Sequence, residues 1–123
     1  MNLKVKSKVW IENTIGETVI GEGRFKILKA ISETGSISKA ALKVGQPFRR
    51  VWARVKDAET QSGIKLVETS NKGTTLTSEG EKLLRRYAEL HRVCNRYANA
   101  KFRKLFPKNE YSRRRNVKRK RPA

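Results

Sequence analysis

Arg49, Arg50 and Arg54 stand within two helical turns of one another, directly after Gly45, Gln46 and Pro47. An arginine presents a planar fork of donors that fits a phosphate, or the O6 and N7 acceptors of a guanine, two bonds at a time. The chemistry of such a group is recognition, not bond making. Residues suited to catalysis or metal binding are scarce. His91 is the single histidine, Cys94 the single cysteine one turn further on, and no second ligand pair or carboxylate cluster completes a site around them. We therefore expect neither an enzyme nor a metal or cofactor, and Cys94 reads as a helix-packing residue.

For the arginines to act together they must share a face. Phe48, Val51, Trp52, Val55 and Ala58 recur at helical spacing and define a buried side, which leaves Arg49, Arg50, Ala53, Arg54 and Lys56 on the other. Pro47 fits the first helical position, where its missing N–H costs nothing. Upstream, Gly35 breaks the chain and Ser36 is placed as an N-cap, with Ile37, Ala40, Ala41 and Val44 forming a narrow apolar stripe before Gly45 ends the short helix. Two short helices joined tightly over residues 32–54 read as a helix-turn-helix. Such a motif lays the N-terminal half of its second helix in the major groove of double-stranded DNA. Taken alone, an Arg-rich face is equally a solvated surface, and any two short helices joined by glycine can imitate the motif.

The remaining elements support or extend this pair. Residues 3–12 alternate Leu3, Val5 and Ser7 against Lys4, Lys6 and Lys8, then shift to Val9 and Ile11 beside Trp10, a strand signature with one basic face. Residues 13–16 predict a turn and 17–20 a return strand, together a β-hairpin. A helix over about 24–34 follows, with Phe25, Leu28 and Ile31 inward and Ile27 and Ala30 flanking. Past the motif, 64–69 and 74–76 predict two strands around a turn at 70–73. This is a wing whose tip, Asn71 and Lys72, can reach a phosphate or the minor groove. Thr77 and Ser78 can cap a helix over 78–106, roughly 43 Å long at ~1.5 Å per residue. Leu83, Leu84, Tyr87 and Leu90 can seal the core. Leu90, Cys94, Tyr97, Ala98, Phe102 and Leu105, with Phe106, continue an apolar stripe for which an antiparallel helix of a second subunit is the economical partner. The alternative is that the stripe folds back on its own domain.

The expected class is thus α+β: a winged helix-turn-helix with an N-terminal β-hairpin, a β-wing and a long C-terminal helix. We divide it into a DNA-binding domain over 1–77, a core-sealing and dimerising helix over 78–106, and a disordered basic tail over 107–123.

Charge points to the same partner. Of 123 residues, 30 are Lys or Arg and 11 are Asp or Glu, a formal net charge of +19. Self-repulsion at that imbalance opposes compaction and implies a polyanionic partner. The excess is densest in the tail, where Arg113, Arg114 and Arg115 would add phosphate contacts that read no sequence and weaken as salt rises. One cysteine allows no intramolecular disulfide, which suits a reducing compartment. No apolar run approaches the ~18 residues of a membrane span, and the N-terminus lacks a signal-peptide core. A cytoplasmic protein at the nucleoid, without membrane contact, is expected.

The run GSISKAALKVGQPFRRVWARVKDAETQSGIKLVETSNKGTTLTSEGEKLL, residues 35–84, resembles the winged helix-turn-helix of LysR-type regulators and of the N-terminal domain of ModE-type molybdate-responsive regulators. The leading VWIENTIGETVIGEGR, the GSIS of 35–38 and Trp52 tilt towards the ModE-type branch, whereas Gln46 and Pro47 look LysR-like. By position, the resemblance implies that Ser36, Ser38 and Lys39 lie near phosphates at the start of the second helix. It implies that Gln46, Pro47, Phe48, Arg49, Arg50 and Arg54 face the groove, with Asn71, Lys72 and Thr74 in the wing. Departures are Pro47 where the ModE-type pattern usually has Ser, Arg50 where it has a small residue, and a wing reduced to the single Gly73. Neither the oxyanion-binding domain of ModE-type proteins nor the effector domain of LysR-type proteins is evident, so molybdate sensing is not expected and the sequence names no effector.

Two functions share these features. One is a dimeric, site-specific transcription regulator. The other is a nucleoid-associated protein that coats or bridges DNA with little sequence preference, and the two differ in specificity ratio, which no sequence displays.

Overall fold

The computed structural model describes residues 2–107. Its elements run β1 (Ile11–Glu12), β2 (Thr18–Ile20), α1 (Glu22–Thr34), α2 (Ile37–Val44), α3 (Phe48–Ser62), β3 (Val67–Ser70), β4 (Gly73–Leu76) and α4 (Ser78–Leu105). This is the α+β winged helix-turn-helix order that the sequence implies. The described residues divide into two compact units, Lys8–Leu90 and, separately, 2–7 with 91–107.

In the first unit α1 is central, touching α2, α3, β2 and β4. Because neighbours cover it from several sides, Ile27 and Ala30 are buried together with Leu28 and Ile31, and it is Phe25 that is only half-buried. The expected inward and flanking positions are therefore partly exchanged. Ile20, Ala40, Ala41, Val51, Val55, Val67 and Tyr87 complete the core. Helices α1 and α2 are each closed by a left-handed glycine. Gly35 donates to the Ile31 carbonyl, while Gly45 and Gln46 donate to Leu42 and Ala41 at 3.2 and 3.0 Å.

The N-terminal hairpin is shorter than the alternating lysines suggest. Only Ile11 and Glu12 pair, with Ile20 and Thr18 respectively, since β2 offers just three residues before Gly21 begins the approach to α1. Asn13 holds the turn: its Oδ1 accepts from the N–H of Ile15 and of Glu17, and its Nδ2 donates to the Gln61 carbonyl at 3.1 Å.

The wing also starts later than expected, at Val67 instead of residue 64. Glu59 explains the delay, because its Oε2 accepts the N–H groups of Leu66 and Val67 at 2.8 and 3.2 Å and diverts that stretch from strand pairing. Burial raises the Glu59 carboxyl, but those two N–H groups and the Lys56 ammonium outweigh it and hold it below its ordinary 4.5. The folded state thus keeps the charge to lower pH than the unfolded chain. Its stabilisation is present above the ordinary value and is lost as pH falls through the depressed one. We expect Glu59→Ala to cost about 1–3 kcal/mol near neutrality, by stranding two donors, and to flatten the acid limb of stability measured by urea unfolding across pH.

In the second unit the Ser7 hydroxyl donates to Asn95 Oδ1, Asn95 lies 3.3 Å from His91 Nδ1, and the rings of Phe102 and Phe106 stack at 5.0 Å.

Candidate nucleic-acid interface

The junction of α2, α3 and the wing is built from caps. Ser36 is extended (φ −152°, ψ 132°), and its Oγ accepts from the Lys39 N–H at 3.1 Å, which leaves Ser38 and Lys39 exposed on the first turn of α2. Pro47 proves to be the N-cap of α3, one position before the expected place. Its ψ of 146° is extended, and its carbonyl accepts from Arg50 and Val51, both at 3.1 Å. Helix α3 begins at Phe48.

Along α3 the buried residues are Val51, Val55 and Ala58 alone. Arg49, Arg50, Ala53 and Arg54 are exposed, and none of the three arginines enters an ion pair among the described residues. Lys56, by contrast, is engaged, 4.5 Å above the Trp52 ring and 3.2 Å from Glu59. Arg54 lines a small crevice with Arg24 and Ile27 of α1, whereas Phe48 and Trp52 face α2 and the wing.

Four residues are placed differently from their reading in the sequence. Phe48 and Trp52, read as buried, are 49% exposed and half-buried respectively, since α2 and the wing leave an open groove beside them. Thr74 is only 4% exposed: its N–H donates to the Gly35 carbonyl at 3.0 Å and its hydroxyl lies 3.3 Å from that of Thr69, so it fastens the wing to the α1–α2 turn. Gln46 is half-buried and lines a cavity with Lys26, Lys29 and Glu33 of α1, where its Oε1 has no partner among the described residues. It is not brought to the exposed side of α3.

The wing tip is as expected. Ser70 pairs with Gly73, so Asn71 and Lys72 form a two-residue loop, both exposed, with the Lys72 N–H on Ser70 Oγ at 3.2 Å. On α4, Tyr87 is buried, and Leu83 and Leu84 pack on the core, but Leu90 is 42% exposed and seals nothing. Further along, Tyr97 and Leu105 are exposed, while Cys94, Ala98 and Phe102 are half-buried. Arg113, Arg114 and Arg115 lie outside the described residues. The groove beside Trp52 was missed in the sequence because i, i+4 aromatics read as core. No helix among the described residues is long and apolar enough to cross a membrane.

Residues 23–81 match the family described as bacterial regulatory helix-turn-helix protein, lysR family. Over 67 residues the chain is 40% identical to the HTH-type transcriptional regulator YofA of Bacillus subtilis (strain 168), covering 54% of this chain and 23% of that protein. It is 37% identical over 79 residues to a probable RuBisCO transcriptional regulator of Porphyra purpurea, covering 63% and 24%. The chain thus spans about a quarter of the length of these curated relatives, which are named as regulators and not as enzymes. Among solved structures, the fold is shared with a CbnR DNA-binding domain in complex with DNA (TM-score 0.56, 22% identity, 63% of this chain and 90% of that one). It is shared equally with a BenM DNA-binding domain on benA site 1 DNA (TM-score 0.56, 21% identity, 65% and 93%). These matches support the LysR-like side of the sequence resemblance and not the ModE-type side.

Proposed function

We propose that residues 23–81, which match the lysR-family helix-turn-helix, are a DNA-binding domain of that kind and that the chain is a site-specific transcription regulator that binds double-stranded DNA as a homodimer. The observation that carries this reading is the face of α3 that follows Pro47. Arg49 and Arg50 are exposed there and free of ion pairs among the described residues, so no protein carboxylate competes with a DNA acceptor. Ser36, Ser38 and Lys39 at the start of α2, and Asn71 and Lys72 at the wing tip, are the phosphate contacts that fix its register. Arg54 serves as a flanking contact, and Arg113, Arg114 and Arg115 add sequence-independent affinity.

Leu90, Cys94, Tyr97, Ala98, Phe102 and Leu105 are the dimerising residues of α4, pairing two reading heads with two half-sites. Such a regulator works in the cytoplasm, at the nucleoid. A DNA-coating protein, which the net charge alone would allow, is not favoured by relatives named as transcriptional regulators.

The test is selection from random duplexes, then titration across salt. A preference of roughly a thousandfold or more at physiological salt supports the regulator, and little preference overturns it. On the selected site Arg50→Ala should weaken binding by about 1–3 kcal/mol and relax the choice at one base pair. An equal loss on every duplex would make Arg50 a phosphate contact instead.

A further inference from the structure

One part of the basic face is apolar. A groove of about 410 Å³ opens where α2, α3 and the wing meet, lined by Ser36, Ile37 and Ser38, by Phe48 and Trp52, and by Thr69 of the wing. Phe48 opens α3 and is 49% exposed, and it takes no part in the core against which Trp52 packs. A benzyl ring left in water between a proline and two arginines contributes little to folding, and its neighbours are suited to a polyanion. In the major groove of DNA the one apolar group on a base edge is the C5-methyl of thymine. Resting on the DNA-binding reading above, we infer that Phe48 is a specificity-determining residue that packs its ring on a thymine methyl in each half-site.

Ser38 strengthens the assignment. Its side chain is exposed on the first turn of α2 and lines the same groove, so the phosphate contact assigned to it above anchors the backbone beside the base edge that the Phe48 ring meets. The arginines then read neighbouring positions, and the ring supplies what no arginine can: a preference for T over C, which presents a donor and no methyl.

The experiment uses the full chain and the duplex recovered by random selection. Each thymine of that duplex is replaced in turn by deoxyuridine, which removes the methyl and leaves every hydrogen-bonding group. At one position per half-site the substitution should weaken binding of the unaltered protein roughly three- to tenfold. Phe48→Ala should bind the thymine and uracil duplexes alike, and Phe48→Leu, which keeps an apolar contact, should retain part of the difference. Thermal melts confirm that both variants fold as the parent does. If a preferred site is recovered but deoxyuridine is tolerated throughout, or costs Phe48→Ala as much as the parent, the role of Phe48 is overturned and the DNA-binding reading stands. If no duplex is preferred, both fall together.

Discussion

Gly80→Ala should destabilise the Lys8–Leu90 unit by about 2–3 kcal/mol through overpacking, even though alanine is the better helix former by about 1 kcal/mol. Gly80 is buried in the first turn of α4, and a Cβ there would stand 2.3 Å from the carbonyl oxygen of Leu66 and 3.2 Å from its carbonyl carbon. Those atoms have little room to yield. The Leu66 N–H is held by Glu59, and the Leu66 carbonyl accepts the Thr77 N–H at 2.9 Å, so moving them loosens the root of the wing. Helix α4 must withdraw instead, and Tyr87 sits two turns along it. Gly23→Ala gives the contrast. Gly23 lies in the first turn of α1 with no heavy atom within 4 Å of the added Cβ, so the substitution should be neutral or stabilise by up to about 1 kcal/mol. Urea unfolding of the two variants compares them directly. A loss for Gly23→Ala, or a gain for Gly80→Ala, would show that close approach is not what governs these sites.

Gly80 also marks where sequence reading stops. Features that depend on a residue and its near neighbours in the chain were legible: Ser36 as a cap, Gly35 and Gly45 as left-handed stops, the start of α4 at Ser78 and its end within one residue of the expected one. So was the element order, because periodicity changes at each boundary. What was not legible depends on which surface arrives opposite. A glycine on a helix face looks like a weak helix former until a carbonyl is found 2.3 Å from its missing Cβ. Thr74 reads as a wing hydroxyl available to DNA until its burial and the neighbouring Thr69 hydroxyl show that it faces inward. Phe48 and Trp52 share the spacing of Val51 and Val55, and only the open groove beside α2 shows that the apolar face of α3 is wider than the side it buries. At the interface, then, residue type was informative about chemistry, and packing decided which of those residues can use it.

The largest single loss is expected from Tyr87→Ala, about 3–5 kcal/mol, a substantial part of what a small domain has to spare. Tyr87 is 1% exposed, its ring lies 5.2 Å from that of Phe25, and its hydroxyl donates to the Val9 carbonyl at 2.7 Å. It joins α4, α1 and the chain entering the N-terminal hairpin in one contact. Tyr87→Phe keeps the ring and removes the bond, so it should cost only about 1 kcal/mol, and the difference between the two variants separates packing from hydrogen bonding. Alkali provides an independent readout. Burial, and after it the nearby charge of Glu22, raises the phenol above its ordinary 10.0, so the folded state holds that proton to higher pH than the unfolded chain does. The stabilisation is full below the ordinary value and is lost as pH rises through the raised one. The parent should therefore weaken in alkali more steeply than Tyr87→Phe, as followed by urea unfolding on either side of pH 10. Parallel curves would place the hydroxyl in solvent, and the link from α4 to the hairpin would have to run through other residues.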